Sequence, residues 1–368
     1  MGVFIHHTAF RLPGASTFSQ LDRLIASNET PFEKWNDSFS GALKVDALHS
    51  EGLDCASRSF QRCDRVAQLA AVLTHDLAFF SPELIHIGSA RGATHTWEKE
   101  HEAFLNGRQV SLHTSPNTTL GNIAFNAAQM AGIDADVLDQ SMTCSSGLHS
   151  VIEAARRIRS GEINKALAGG VETPLTKFTY AQFDALKLLS KLPLPFPCKP
   201  LLSKASNELV LAEGGALFAL SKEKSPLQVL GYGEACSKTK HNLAFASAAL
   251  KEAMMKALKM ADLTTVDAVL MHAPGTIQGD AEEVKAVHEI LGNEVRMIPT
   301  KWLTGHTLGA SGPVSMVLAM ALMQGTKLHI PYVFEHKMGE NREVETVLVN
   351  ATGFGGNAVS ILLGKTAY

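Results

Sequence analysis

The stretch Asp139-Gln-Ser-Met-Thr-Cys-Ser-Ser-Gly-Leu-His149 sets a cysteine between a predicted strand and a predicted helix. The residues before Cys144, Ser141 to Thr143, are typical of the end of a short buried strand, and apolar residues recur at helical spacing from Leu148 to Ile158. A thiol at such a corner lies near unpaired helix N–H groups and the positive end of the helix dipole, which favour the thiolate. The stretch therefore predicts a nucleophilic Cys144. A buried structural cysteine is the alternative that a lone cysteine leaves open.

The composition predicts a chain with a large core. Its 368 residues are 45% hydrophobic and 19% charged, which allows one big domain or two fused halves. The formal net charge of -3 argues against nucleic acid as the main partner. No apolar run is long enough to predict a membrane span, and the first residues have no signal-peptide pattern.

The cysteines and histidines favour neither a disulfide framework nor a metal site. No two cysteines form a Cys-x-x-Cys pair, and no two of the 15 histidines form a His-x-x-x-His pair with a nearby acid. The odd number and scatter of the cysteines predict a reducing, cytoplasmic location. The five cysteines are Cys55, Cys63, Cys144, Cys198 and Cys236.

A weak internal repeat predicts two similar α/β halves. A strand, a small-residue turn and a helix occur at 141–158 and again at 297–323, and a helix followed by a strand occurs at 59–87 and again at 246–272. We therefore expect halves at residues 1–225 and 226–368, each with a central sheet, packed on one another. Strands at 216–220 and 228–234 are predicted to be neighbours. Reactive residues at matching strand ends would converge at the junction between the halves.

Three predicted turns carry the candidate catalytic side chains. Cys144 lies at the first of them, between a strand and a helix; His272 ends a strand, and His306 lies in a glycine-rich turn. A thiolate is a strong nucleophile for acyl groups, and imidazoles donate hydrogen bonds or move protons near neutral pH. Lys301, five residues before His306, could bias its charge state. A solvated lysine and histidines that are only hydrogen-bonded are the alternatives.

Carboxylates and glycines flank these turns. Asp280 and Glu283 lie on one face of a starting helix, where acidic residues often serve only to favour the N-terminus. The Gly353-Phe-Gly-Gly356 segment is either a tight turn or a place where backbone N–H groups face an oxyanion. Four prolines within 192–200 exclude regular structure and indicate a long loop over a functional face.

In this order and spacing, the motifs resemble those of the elongating β-ketoacyl-acyl carrier protein synthases, which belong to the thiolase-fold superfamily. The resemblance runs from about Ser59 to the C-terminus. Thr143-Cys-Ser-Ser-Gly-Leu-His149 looks like the nucleophile motif of that family, and Arg156 to Glu172 looks like the segment after it. Three further stretches match later motifs: His272-Ala-Pro-Gly-Thr-Ile-Gln-Gly-Asp-Ala-Glu-Glu283, Lys301-Trp-Leu-Thr-Gly-His-Thr-Leu-Gly-Ala-Ser-Gly312 and Asn350-Ala-Thr-Gly-Phe-Gly-Gly356.

The resemblance implies a thiolase-like fold in which helices and mixed sheets alternate as αβαβα layers. It also implies a decarboxylative Claisen condensation of malonyl-acyl carrier protein with an acyl group held on Cys144, in fatty acid, polyene or polyketide elongation. His272 and His306 would assist decarboxylation. The supporting residues implied are Lys301, Glu213, Asp280 and Glu283; the oxyanion hole would be the N–H groups of Cys144 and Phe354, with Phe354 also guarding access and Thr276 contacting pantetheine.

No bound cofactor or metal is implied, because the carrier protein supplies the phosphopantetheine arm. The implied partners are an acyl carrier protein and either a second copy or a ketosynthase-like subunit in a dimer. Arg62 and Arg65 are candidate contacts for the acidic carrier protein, with a solvated helix face as the alternative.

Departures from the family motifs mark a divergent member. Ala273-Pro274 replaces Gly-Thr, so that only Thr276 remains of two threonines expected at pantetheine. Two other functions stay open: a chain-length-factor-like subunit, which usually lacks the nucleophile, and an acyltransferase of another type in the superfamily. A thiolase is disfavoured because the closing glycine motif has no second cysteine.

Overall fold

A computed structural model describes residues 2–27, 29–34, 42–45, 48–202, 205–238, 247–328 and 343–366. The strands are β1 Val3–Arg11, β2 Ala42–Leu43, β3 Leu84–Gly88, β4 Asp136–Gln140, β5 Lys165–Glu172, β6 Leu211–Ala212, β7 Gly214–Ser221, β8 Leu227–Cys236, β9 Ala268–Met271, β10 Arg296–Pro299, β11 Thr346–Gly353 and β12 Asn357–Lys365. The helices are α1 Phe18–Ala26, α2 Arg58–Arg62, α3 Arg65–Asp76, α4 Thr94–Leu105, α5 Thr114–Thr118, α6 Asn122–Ala131, α7 Ser146–Ser160, α8 Lys177–Ala185, α9 Ser247–Ala261, α10 Ile277–Leu291, α11 Lys301–Thr304 and α12 Ser311–Met323. The predicted α/β class is confirmed.

Ten strands form one mixed sheet in the order β10-β9-β11-β12-β8-β1-β7-β5-β3-β4. The strand arrangement occurs twice within it. Three parallel strands, β4, β3 and β5, continue into antiparallel β7 and β1, and three parallel strands, β10, β9 and β11, continue into antiparallel β12 and β8. A short pairing of Val3 to Ile5 with Leu227 to Val229 joins the two sets. The boundary at 225 and 226 stays a prediction.

The predicted neighbourhood of 216–220 and 228–234 is wrong. These residues belong to β7 and β8, and β1 lies between them and pairs with both. Strands that follow one another along the chain are usually neighbours in space, but here the N-terminal strand occupies that position.

The helices pack in layers around the strands. The central helices α7 and α12 share one core with the inner faces of both strand sets, and α12 is buried on every side. Helices α3 and α6 cover the outer face of β3, β5 and β7, and helices α9 and α10 cover the outer face of β9, β11 and β12. The two sets of strands therefore form two layers, which enclose α7 and α12, the helices that begin at the candidate site. Within the described residues, no helix is both long enough and apolar enough to cross a membrane.

Two local predictions need correction. The strand before Cys144 ends at Gln140 and is half-exposed, whereas Ser141 to Thr143 were predicted as its buried end. β4 is the outermost strand of the sheet, and among the described residues no strand pairs with its outer edge. The helix predicted over 59–77 breaks between α2 and α3, because the Asp64 side chain accepts the Val66 N–H and caps a new helix. Ala246, the predicted start of the helix now seen as α9, lies outside the described residues.

Candidate active site

The corner before α7 holds Cys144 in a strained turn. Thr143 has a φ of 53°, a left-handed value that β-branched residues rarely adopt. The Ser146 hydroxyl accepts the Met142 N–H at 2.9 Å and donates to the Thr143 carbonyl at 2.5 Å, which closes the turn. The corner needs small residues as well, since a Cβ on Gly147 would lie 2.4 Å from Cγ of Pro313 at the start of α12. The beginnings of α7 and α12 are therefore in close contact.

The turn after β9 carries His272, and two buried carboxylates hold it. Glu283 accepts the backbone N–H groups of His272 at 2.8 Å and Ala273 at 2.7 Å. Asp280 accepts those of Gly275 at 3.1 Å and Thr276 at 3.0 Å. Both carboxylates lie on α10 and point back at the turn, so they do more than favour a helix N-terminus. The structure brings these two predicted supporting residues to the site.

His306 lies between α11 and α12 and is fixed by its backbone. Its N–H donates to the Val210 carbonyl at 2.7 Å, and its carbonyl accepts the Ala212 N–H at 3.1 Å. On the ring, Nδ1 lies 2.8 Å from the Ser311 hydroxyl oxygen. Ser311 is a functional candidate that sequence reasoning missed; its place at the first residue of the helix after His306 was the available signal.

Cys144, His272 and His306 meet at one cavity of about 200 Å³. The two imidazole rings stand nearly perpendicular, with centroids 5.2 Å apart. Two more predicted residues, Thr276 and Phe354, also line the cavity. Polar and apolar side chains complete its wall, among them Phe183, Leu188, Asn207, Leu209, Pro274, Gln278 and Thr352. A thiol and two imidazoles facing one small space suit acyl transfer followed by stabilisation of an anion.

The charge state of Cys144 differs from the prediction. Burial, reinforced by the nearby Glu172 carboxylate, raises the pKa of the Cys144 thiol to about 12, against smaller opposing effects of Lys301 and the backbone N–H. Position at a helix start was expected to favour the thiolate, but desolvation outweighs it in this chain. The resting group is therefore a thiol, and its proton must leave when an acyl group arrives.

The basic groups of the site are shifted toward their neutral forms. Burial lowers the pKa of His306 to about 3, with Lys301 adding to the effect, and lowers the pKa of His272 well below its usual value. Burial also lowers the pKa of Lys301 to about 8, although Glu283 opposes the shift. The Lys301 ammonium donates to the Thr300 hydroxyl at 3.1 Å. Both histidines are therefore neutral at pH 7, while Lys301 retains much of its charge.

Glu172, at the end of β5, is a buried carboxylate that the sequence analysis assigned no role. It accepts the N–H groups of Ala90 at 2.7 Å and Gly309 at 3.0 Å and the Ser89 hydroxyl at 2.9 Å. Burial raises its pKa to about 7, although these hydrogen bonds oppose the shift. The contact with Gly309 ties β5 to the turn after His306. Glu172 also accepts the Arg91 N–H at 3.2 Å. The four partners come from 89–91 and from Gly309, all far from Glu172 along the chain, so they gave no local sequence signal.

Glu213 is buried beside the site, and its partner overturns one prediction. Arg65 Nε donates to Glu213 Oε1 at 2.9 Å and Arg65 Nη2 to Oε2 at 2.7 Å. The Arg65 side chain is only 22% exposed, so neither a carrier-protein contact nor a solvated helix face describes it. A buried carboxylate requires a paired charge, which explains why two nitrogens of Arg65 bond to the two carboxylate oxygens of Glu213. Arg62 is exposed, as a surface contact requires.

Asn357 connects the Cys144 corner to the closing glycine segment. Its Oδ1 accepts the Ser145 hydroxyl, and its Nδ2 donates to the Phe354 carbonyl at 2.8 Å. The predicted roles of the Cys144 and Phe354 N–H groups as an oxyanion hole stay predictions. The Phe354 side chain is half-buried at the cavity wall, and its control of access stays a prediction.

Comparisons with known proteins agree with this fold. The model of the β-ketoacyl synthase N-terminal domain matches residues 55–225, and that of the C-terminal domain matches residues 228–332. The 3-oxoacyl-[acyl-carrier-protein] synthase 2 of Vibrio harveyi is 29% identical over 77% of this chain and 75% of its own length. The tetracenomycin polyketide synthase ketoacyl synthase alpha subunit of Streptomyces glaucescens is 28% identical over 90% of this chain and 87% of its own length.

A solved structure shares the whole fold. The ishigamide ketosynthase/chain length factor superposes with a TM-score of 0.84 at 18% identity, covering 100% of this chain and 99% of the other. The fold is thus that of the condensing acyltransferases built on the thiolase architecture. The two domain models together span most of the sequence, and the chain belongs to the β-ketoacyl synthase family.

Proposed function

We propose that the chain is a β-ketoacyl-acyl carrier protein synthase that condenses a malonyl thioester with an acyl group held on Cys144, with loss of CO2. The observation that carries the proposal is the convergence of Cys144, His272 and His306 on one cavity. The sequence motifs and the family support it. Fatty acid, polyene and polyketide elongation all use this condensation, and the name of the Streptomyces relative favours the polyketide type.

The first step transfers the acyl group to Cys144. Cys144 is 8% exposed and lines the cavity, so a thioester carbonyl would reach the sulfur through the cavity. Sulfur attack forms the new C–S bond, and the carrier thiol leaves with a proton. The backbone N–H groups of Cys144 and Phe354 would stabilise the oxyanion of the tetrahedral intermediate.

The second step decarboxylates the malonyl thioester. The C–C bond to the carboxylate breaks, CO2 leaves, and the electron pair becomes an enolate on the thioester oxygen. Neutral His272 and His306 would donate N–H hydrogen bonds to that oxygen, and the positive charge of Lys301 would favour the anion. The enolate carbon then attacks the acyl-Cys144 carbonyl, the C–S bond to Cys144 breaks, and the released thiolate takes a proton from water.

The partners follow from the same chemistry. A carrier protein would deliver both thioesters on its phosphopantetheine arm, with Thr276 in the cavity wall as a contact for the arm and exposed Arg62 as a contact for the carrier surface. A homodimer or a heterodimer with a ketosynthase-like subunit would be the working form; the shared fold of a ketosynthase/chain length factor makes the second a specific alternative. No further cofactor is required by these steps, and the cytoplasmic location stays a prediction.

Mass spectrometry of the intact protein tests the proposal. The wild-type chain is incubated with acyl-carrier-protein thioesters of several chain lengths, beside Cys144→Ala and the matched control Cys198→Ala, which removes another buried thiol. We expect an acyl adduct on the wild type and on the control, and none on Cys144→Ala.

The adduct that forms fastest identifies the preferred acyl length. Absence of an adduct with every donor contradicts a stand-alone synthase. An adduct that then appears only when a ketosynthase-like subunit is added, and that is located on the added subunit, assigns this chain the chain-length-factor-like function.

A further inference from the structure

The two imidazoles of the site have different partners at Nδ1. In His306, Nδ1 lies 2.8 Å from the Ser311 hydroxyl oxygen, and that oxygen lies 3.4 Å from the Thr307 hydroxyl. In His272, Nδ1 is buried and has no hydrogen-bond partner among the described residues. Because both residues line the cavity, Nε2 is the ring nitrogen of His306 that is left for the substrate. The same side chain therefore occurs in two chemically different settings 5.2 Å apart.

Pro274 explains the empty position beside His272. In the turn after β9, the N–H groups of His272 and Ala273 donate to Glu283, and those of Gly275 and Thr276 donate to Asp280. Position 274 is the remaining residue of the turn, and proline has no N–H. The turn thus has no backbone donor left for the His272 ring.

These partners decide which ring can take a proton. A ring that accepts a proton at Nε2 must carry a hydrogen at Nδ1, whether as the neutral tautomer that accepts or as the imidazolium that results. In His272 that hydrogen would be a buried donor without an acceptor, which is unfavourable. In His306 the Ser311 oxygen accepts it, and the serine hydrogen can turn toward Thr307. The tautomer with its hydrogen on Nε2 leaves only an unpaired acceptor at Nδ1, and buried sites tolerate an unpaired acceptor better than an unpaired N–H. His272 therefore favours donating from Nε2, whereas His306 can both accept and donate.

We propose that Ser311 is a positioning residue that lets His306, and not His272, take the proton of the Cys144 thiol. As Cys144 Sγ forms its bond to the acyl carbon, the S–H bond breaks and the proton passes to His306 Nε2. When the thioester C–S bond breaks, the same proton passes to the departing pantetheine sulfur. Later, the ring changes tautomer by exchange with water in the cavity: Nδ1 gives up its hydrogen and Nε2 takes one. The Ser311 hydroxyl then turns to donate to Nδ1, and His306 becomes an N–H donor beside His272. This inference rests on the proposed condensation.

The proposal predicts that Ser311→Ala makes His306 resemble His272. Its Nδ1 then has no acceptor, so the ring remains a donor and loses the ability to take the thiol proton. We expect acylation of Cys144 to slow at least tenfold. Malonyl decarboxylation by enzyme acylated beforehand should fall by less than threefold, because it needs only N–H donation.

The experiment compares Ser311→Ala with Ser311→Thr, which retains the hydroxyl, and with Ser150→Ala, which removes a buried serine hydroxyl bonded to a backbone carbonyl in α7. Three rates are measured by mass spectrometry and CO2 release: alkylation of Cys144 by iodoacetamide, acylation by an acyl-carrier-protein thioester, and malonyl decarboxylation by pre-acylated enzyme. Thermal unfolding of each variant checks that it is folded.

The expected result is slow alkylation and slow acylation in Ser311→Ala, recovery in Ser311→Thr, and wild-type rates in Ser150→Ala. Unchanged alkylation and acylation in a folded Ser311→Ala would overturn the proposal, as would equal loss of all three rates. If the wild type gives no acyl adduct but Ser311→Ala still slows alkylation, the condensation fails while the proton assignment stands. If Ser311→Ala does not fold, the test rests on Ser311→Thr. Because threonine retains the hydroxyl, a wild-type alkylation rate in this variant supports the proposal, and a lost alkylation rate contradicts it.

Discussion

The corner that carries Cys144 and the corner that carries His306 occupy equivalent places in the repeated strand arrangement. Each follows a strand at an end of the sheet, β4 or β10, and each leads into a central helix, α7 or α12. Each also contains a non-glycine residue with positive φ, Thr143 at 53° and Leu308 at 39°. The corners differ in what they contribute, a nucleophile in one and an imidazole in the other.

Each of the two corners is held by residues that belong to the other set of strands. Asn357, which follows the last glycine motif, holds the Cys144 corner, whereas Glu172 and the segment before Glu213 hold the His306 corner. Each reactive side chain thus depends on residues from the other set of strands. We infer that the site forms only when the two sets are packed together, because neither corner has its full set of hydrogen bonds alone.

The largest effect is expected at Arg65, whose Glu213 partner follows the segment that holds His306. Arg65→Ala leaves a buried carboxylate without its paired charge, which should lower the free energy of unfolding by about 3 to 5 kcal/mol. The matched control Arg62→Ala removes an exposed arginine of the same region and should change it by less than about 0.5 kcal/mol. Urea denaturation of both variants measures the difference, and equal losses would contradict a structural ion pair at Arg65.

Gly147→Ala tests the close contact between the two corners. A Cβ at this position would lie 2.4 Å from Pro313 Cγ and 2.9 Å from the Gly309 carbonyl oxygen, so the helix starts must move apart. Overpacking of this kind costs about 1 to 3 kcal/mol, and Cys144 acylation should slow as the corners separate. Gly161→Asn is the control, because Gly161 lies at the other end of α7 and a Cβ added there would have no atom of the described residues within 4 Å. Thermal unfolding and acylation rates that match between the two variants would argue against the close contact.

A pH series tests the support of the His306 corner by Glu172. Its pKa in the folded chain is raised to about 7, so the folded state favours the protonated acid. The stability from this group is present below about pH 4.5 and is lost as the pH rises through 7. The free energy of unfolding of the wild type, measured relative to that of Glu172→Gln, should therefore fall by up to about 3 kcal/mol between about pH 5 and about pH 8. Denaturation at both pH values measures this. A difference that stays constant with pH, as expected for the exposed Glu162→Gln control, would refute the assignment.

The smallest effect is expected at Asn357. Asn357→Ala removes the acceptor of the Ser145 hydroxyl and the donor to the Phe354 carbonyl, which should lower the free energy of unfolding by about 1 to 2 kcal/mol. Because these bonds join the nucleophile corner to the cavity wall, acylation should slow more than stability alone explains. Chemical denaturation and acylation kinetics, beside the exposed control Asn293→Ala, separate the two effects. If the variant is destabilised but its acylation rate is unchanged, Asn357 contributes to stability and not to acylation.

The sequence by itself determined the local elements and the chemistry of the turns. The residue pattern predicts strands over 165–172 and 296–299, and β5 and β10 have these bounds, because side-chain periodicity and turn residues act over a few positions. Motif order and spacing identified Cys144, His272 and His306, and the cavity brings the three together. The family followed from the same motifs, since each combines residue types and distances along the chain.

Tertiary structure alone decided the features that depend on distant partners. The insertion of β1 between β7 and β8, and the pairing of Arg65 with Glu213, join residues far apart along the chain. The raised pKa of Cys144 reverses the local expectation from the helix start, because desolvation depends on everything packed around the thiol. The difference between His272 and His306 likewise required coordinates, since a missing N–H matters only where the ring has no other partner. Hydrogen bonds within a turn are encoded locally, whereas burial and charge pairing are properties of the assembled fold.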